Sequence, residues 1–144
     1  MNTGACPFCA IIAGNLPASR VCEDATAIAF MDLRQAVSGH VLIVPRQHVE
    51  TLDAMDEETA AHLMRLAVRI AKASIEAFAP PGFNLWQSNG EAGGQEVPHV
   101  HLHVQPRRIG DGLLRIYPEA PPSAADVEML DALAAELRVR LVQP

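Results

Sequence analysis

Two periods of apolar alternation run along this chain, and the switches between them mark out its elements. In "GHVLIVP", His40, Leu42 and Val44 fall on one face of an extended segment and Val41 and Ile43 on the other. "HVHLHVQP" alternates strictly, with His99, His101 and His103 on one face and Val100, Leu102 and Val104 on the other. "RVCED", "TAIAFMD" and "FNLWQS" read as three further strands, the first two joined near Asp24 as a hairpin. Over residues 56–78 the period lengthens. Leu63, Leu66, Ile70, Ala73, Ala77 and Phe78 line one helical face, and Pro80, Pro81 and Gly82 end it. "CAIIAGNLPAS" predicts a short helical turn stopped by Gly14 and Pro17. Residues 107–122 are Pro-rich and irregular. Ser123 and Asp126 are spaced as a capping box, with Asp for the usual Glu, and open a last helix reaching about Leu141.

These elements predict an α+β fold with five strands, one long helix between the third and fourth, and a C-terminal helix. The gaps between strands one and two, and four and five, are too short for helical crossovers, so antiparallel pairing is expected there. No repeat or low-complexity linker divides the chain, and residues 1–144 read as a single domain.

Composition narrows the function. Of 144 residues, 49% are hydrophobic and 19% charged, as in an ordinary globular domain. A net charge of −6 at pH 7 argues against nucleic acid as a partner, because phosphate contacts need clustered Lys and Arg. No apolar run approaches the roughly 20 residues of a membrane span. The opening "MNTGACPFCAIIAGN" lacks the basic and apolar regions of a signal peptide, so a cytoplasmic location is expected. Cys6, Cys9 and Cys22 should then be thiols or metal ligands rather than disulfides.

Three of the six histidines sit at alternate positions of one strand. Buried imidazole must be hydrogen-bonded, so this is a costly way to fill a face. The residues leave three readings open: a solvated His-rich face, a metal site, or one ring acting as a nucleophile while its neighbours place a substrate. Cys-Pro-Phe-Cys is similar to a dithiol redox motif, but that motif needs a preceding strand, and only five residues precede Cys6. Zinc fits the pair better, given two more ligands.

"GQEVPHVHLHVQPR" resembles the signature of the histidine-triad family: alternate histidines separated by apolar residues and preceded by Gly-Gln, with Gln105 in place of the last apolar position. "CPFCAIIAGNLPASRVCED", "FMDLRQAVSGHVLIVPRQH" and "NGEAGGQ" are similar to three further family segments in the same order. The resemblance implies a five-stranded antiparallel sheet, usually dimeric, and nucleotide hydrolase or transferase activity. It puts the nucleophile on His101, phosphate and leaving-group contacts on His103 and Gln95, and an additional active-site histidine on His40. Asp32 would bind the ribose hydroxyls, and Leu33, with Phe8, would line the base pocket. Gly93 and Gly94 would offer backbone N–H groups to phosphate. Ser88 stands where the family usually has an amide, which puts the strength of phosphate binding in question. For members with this opening the resemblance implies a structural zinc, here on Cys6, Cys9, His48 and His99. His62 and Cys22 read as structural or solvated, and Arg107 and Arg108 as a pair that adds positive potential or is simply solvated.

The expected protein is a zinc-containing homodimer that cleaves a purine nucleotide conjugate, a phosphoramidate or dinucleoside polyphosphate, at its α-phosphate. Two rivals carry different chemistry: a non-enzymatic nucleotide-binding adaptor, and a metallohydrolase in which His99, His101 and His103 together hold a catalytic ion.

Overall fold

Five antiparallel strands form one sheet: β1 (Arg20–Glu23), β2 (Ala27–Met31), β3 (Val41–Pro45), β4 (Gly82–Trp86) and β5 (Leu102–Arg107), in the order β1-β2-β3-β5-β4. The computed structural model describes residues 6–113, 116–117 and 119–141. The strands are joined to three helices, α1 (Pro7–Ile12), α2 (Glu57–Phe78) and α3 (Val127–Arg138). The α+β architecture and its element order are those the alternation predicts.

The alternation works by sorting side chains between two covers. Val41 and Ile43 on β3, with Val100, Leu102 and Val104, pack with Leu63, Leu66, Ala67 and Ile70 of α2. Leu42 and Val44 point the other way and pack with Ile28, Phe30, and Phe8 and Ile11 of α1. Because both faces are covered, β2 and β3 are buried almost throughout. Fully buried Ile28 and Ile43 each contribute on the order of 1.5–3 kcal/mol relative to exposure. β4 is an edge strand and is largely exposed.

Asp56 caps α2 by accepting the Thr59 N–H at 2.8 Å. The buried stripe of that helix is Leu63, Leu66, Ala67, Ile70 and Ser74. Ala73, Ala77 and Phe78 are exposed, so the expected stripe is wrong in the second half of the helix. A step of 3.6 residues from Ile70 reaches Ser74, whereas the three-step to Ala73 drifts off the core. Ala79 ends the helix in the left-handed region, φ 44°, ahead of the two prolines.

Three other boundaries move. β4 stops at Trp86, so Gln87 and Ser88 lie beyond it. Regular pairing in β5 begins only at Leu102, because the Val100 N–H donates instead to Val49 O at 2.7 Å. The cap of α3 is Asp126, accepting the Met129 N–H, and the helix starts one residue later rather than after Ser123.

The chain divides into two compact units, Met1–Asp111 and Gly112–Pro144. The first holds the sheet with α1 and α2, and every candidate site residue. The second holds α3, none of whose residues is buried.

Candidate active site

His99, His101 and His103 keep to one face, but their rings meet different partners. His99 is fully buried, and its Nε2 donates to Pro45 O at 2.9 Å. That bond fixes the proton on Nε2 and leaves the Nδ1 lone pair free. Nδ1 lies 3.3 Å from Cys6 Sγ and 3.7 Å from Cys9 Sγ. Cys9 Sγ is also 3.3 Å from His48 Nδ1. One ligand atom from each of Cys6, Cys9, His48 and His99 falls within 4.8 Å of the others. α1 makes this possible. Cys6 is its N-cap, and Pro7, which has no N–H to leave unpaired, opens the first turn. The following turn carries Cys9 round to the same side. Two thiolates and two imidazoles with a carbonyl behind one ring suit zinc in chemistry and number.

His101 has the opposite arrangement. Its Nδ1 donates to His99 O at 2.7 Å, which leaves Nε2 as the unprotonated nitrogen. Phe8 packs edge-on against the ring at 5.1 Å between centroids. Burial holds the His101 pKa below the usual imidazole range, so the ring is neutral at pH 7.

His103 pairs across the sheet with Leu42 on β3 and Trp86 on β4, which places Trp86 on its face. The two rings stack at 4.2 Å and 4°. His103 Nδ1 lies 2.9 Å from His40 Nε2. Burial, with His101 and His40 adding to it, pushes the His103 pKa down to about 3. His40 is buried and also lowered, chiefly by desolvation against the opposing pull of Asp32. Its Nδ1 stands 3.8 Å from Asp32 Oδ2.

Asp32 directly follows β2, its N–H donating to His40 O at 3.0 Å. The 32–40 loop is tied by Gln35, a residue the sequence reading missed. Its Oε1 accepts the N–H groups of Gly39 (2.8 Å) and His40 (3.0 Å), and its Nε2 donates to Asp32 O and His40 O. Gly39 is needed here: at φ 103° a Cβ would sit 2.7 Å from the Phe78 ring. Trp86 and Glu96 were missed as well. The Glu96 carboxylate pairs with Arg34 at 2.9 Å, bridging the two loops in solvent, and its charge opposes the fall in the His101 pKa.

The Gly-rich loop departs from expectation in detail. The Gly94 N–H donates to Glu91 O, so it is used within the turn and is not free for phosphate. Gly93 is required because a Cβ there would meet Asn89 O at 2.4 Å. Gln95 is bound into the loop: its Oε1 accepts the Gly90 N–H at 2.7 Å and its Nε2 donates to Glu50 O at 2.6 Å. One N–H of that amide remains for a further acceptor. Ser88 is half-buried, and Leu33 is 97% exposed. Phe8 lies in the buried cluster around α1. Arg107 is paired with Asp111 and donates to Asn84 Oδ1. His62 Nε2 meets Asp24 Oδ2 at 2.8 Å, a structural contact between α2 and the β1–β2 hairpin.

Among the described residues, the clusters that could hold an ion are Cys6/Cys9/His48/His99 and Asp32/His40/His103. His99 and His103 fall in separate clusters, so the three strand histidines do not converge on one ion and the corresponding metallohydrolase has no site.

Fold and site together define a small α+β protein in which the extended segment leading into β5 and the strand itself carry a metal-type imidazole, a free imidazole and a stacked imidazole in succession. The HIT domain profile matches residues 13–110. The chain belongs to that family. It is 41% identical to Protein hit of Bacillus subtilis, over 74% of both chains. It is 34% identical to the adenosine 5'-monophosphoramidase of Saccharomyces cerevisiae, over 95% of this chain and 83% of that one. A HIT family protein from Bacillus anthracis superposes with a TM-score of 0.89 at 34% identity, covering 96% of this chain and 98% of that one. A zinc-bound histidine-triad protein from Mycobacterium smegmatis gives a TM-score of 0.72 at 35% identity, covering 96% and 99%. No described helix is long and apolar enough to cross a membrane.

Proposed function

We propose that this chain cleaves a purine nucleotide conjugate, a phosphoramidate or dinucleoside polyphosphate, at its α-phosphate through a covalent nucleotidyl-histidine on His101. The observation that carries the reading is the 2.7 Å bond from His101 Nδ1 to His99 O. It leaves the Nε2 lone pair to attack phosphorus, and the neutral ring needs no proton removed first. In the first step the Nε2–P bond forms, and the bond from phosphorus to the leaving amine or phosphate breaks. The leaving group departs with the electron pair and takes a proton from solvent, which the attacking water of the second step gives back. Water then displaces Nε2 and releases the nucleoside monophosphate. One difficult displacement becomes two easier ones.

Asp32 would accept the ribose hydroxyls, with Leu33 at the base. His103 and His40 would hold phosphate oxygens and the departing group, assisted by Gln95, Ser88 and the Gly93 N–H. The monophosphoramidase names of the yeast relatives support a nucleoside phosphoramidate as substrate. Cys6, Cys9, His48 and His99 would hold a structural zinc. Such a site offers no open position, so its contribution is folding energy that pins α1 to the histidine strand.

A homodimer fits the exposed edge of the sheet. Phe83 and Leu85 on edge strand β4 are 42% and 38% exposed beside Val68 and Ile75 of α2, around an apolar groove of about 280 Å³.

Turnover of a panel of nucleotide conjugates by the parent and by His101→Ala tests the activity. The parent should turn over at least one conjugate, and the variant should bind the nucleotide without product. Micromolar binding with no turnover by the parent would favour the adaptor.

A further inference from the structure

We infer that Asp32, His40 and His103 form a second divalent-cation site, open on one side, whose occupant excludes the substrate. Their ligand atoms lie within 4.8 Å of one another. His40 Nε2 and His103 Nδ1 stand 2.9 Å apart as a hydrogen-bonded pair, and Asp32 Oδ2 lies 3.8 Å from the other nitrogen of His40, Nδ1. Each ligand is held by a group that is not itself a ligand. Gln35 grips the His40 backbone from both sides. Trp86 stacks flat on His103. The Arg34 N–H donates to Asp32 Oδ1 at 2.6 Å. Such support is what sets ligating side chains in place before an ion arrives.

Two imidazoles and a carboxylate select zinc, cobalt(II) or nickel(II) over magnesium and calcium, which prefer all-oxygen ligands. Three protein ligands leave a position for water, unlike the four of the Cys6/Cys9 cluster. On binding, the ring-to-ring hydrogen bond gives way and both rings remain neutral. The proton moves to the nitrogen turned away from the ion. The occupied site withdraws Asp32 from ribose and His103 from phosphate. A zinc-class ion would then act twice on this chain: tightly at the closed cluster, where it stabilises, and more weakly at the open one, where it blocks. The blocking half rests on the proposed reading of the substrate site, whereas ion binding does not.

Trp86 supplies the readout, because it is the sole tryptophan and touches one ligand ring. Protein carrying one zinc per chain is titrated with cobalt(II), a paramagnetic quencher, and Trp86 fluorescence is followed without substrate. The result expected is a saturable quench fitting one further ion per chain and reversed by excess zinc. It should weaken at least tenfold in His40→Ala and in Asp32→Asn, and shift to higher cobalt with added adenosine monophosphate. Two variants are used because His40→Ala could destabilise its loop, whereas Asp32→Asn keeps the side-chain shape. No saturable quench below millimolar cobalt, or an undiminished quench in Asp32→Asn, would overturn the site. A quench that adenosine monophosphate does not shift would overturn the blocking role. A normal quench in protein that fails to turn over any conjugate would sink the catalytic reading and leave the ion site standing.

Discussion

Cys6, Cys9, His48 and His99 at one end of the histidine row, and Asp32, His40 and His103 at the other, show how far surroundings decide what an imidazole does. His99 and His103 are four residues apart with side chains on the same face. His99 has its Nε2 proton fixed by Pro45 O and its Nδ1 turned to two sulfurs. His103 has a flat tryptophan on its face and a second imidazole at 2.9 Å. Between them, His101 has its Nδ1 capped by a carbonyl and its Nε2 free. Which ring nitrogen is occupied, and by what, separates a ligand from a nucleophile more sharply than position in the motif.

Replacing the middle ring should break this contrast most severely. His101→Ala is expected to lower turnover by on the order of 10³-fold or more while nucleotide affinity changes by less than about tenfold, as befits a group acting only in the reaction. Steady-state kinetics beside equilibrium binding would check this, and near-parental turnover would contradict it.

The opposite end of the row should answer in stability. Cys6→Ser with Cys9→Ser, or removal of the metal by a chelator, should lower Tm by roughly 10 °C or more, because binding energy at a closed site is folding energy. Metal analysis should find about one zinc per chain in the parent and little in the double variant. A parent without zinc after expression in ample zinc would contradict the assignment.

A smaller effect is expected between the two ends. Gln35→Ala removes the grip on His40 and leaves the Gly39 and His40 N–H groups without their acceptor. A loss of about 1–2 kcal/mol is expected, with turnover reduced more than affinity. Denaturant melts and the split between kcat and KM would measure both.

The smallest effect lies outside both clusters. Asp24 accepts the Ala27 and Thr26 N–H groups and faces His62, and the first two bonds hold its pKa below the usual carboxylate range, at about 2. A depressed carboxylate stabilises the fold above about pH 4, and that contribution fades as pH falls towards 2. Asp24→Ala should flatten the acid limb of the stability profile over that window and leave turnover at pH 7 unchanged. The carboxylate is too exposed for the change to be large. An unaltered acid limb would show that the hairpin turn does not depend on it.

Much of this was legible in the residues. Strict alternation at 99–104 announced a strand with a polar face, and the covers on both sides explain why its other face is all valine and leucine. The three-and-four pattern over residues 56–78 announced α2. The part of its stripe that failed rested on Ala73 and Ala77, alanine being equally at home on either face of a helix, and on Phe78 in the last helical position. What stayed hidden depends on closure of the fold. Gln35 bonds four backbone groups that come together only when the 32–40 loop folds back. Trp86 reaches His103 only through the register of β4 on β5. The Gly94 N–H is lost to a turn within its own loop, which glycine content alone does not reveal. Pairing of Cys6 and Cys9 with His48 and His99 spans more than ninety residues. The family resemblance suggested it where spacing could not.

The species formed on His101 decides the central claim most directly. With an activated nucleotide substrate, so that the second step limits turnover, the reaction is quenched rapidly in alkali, where a phosphorus–nitrogen bond survives. The peptide spanning residues 98–105 is then weighed by mass spectrometry. The account predicts one nucleoside monophosphate on that peptide, located to His101 by fragmentation and missing in His101→Ala. An unmodified peptide under those conditions, or an adduct on His99 or His103, would contradict it.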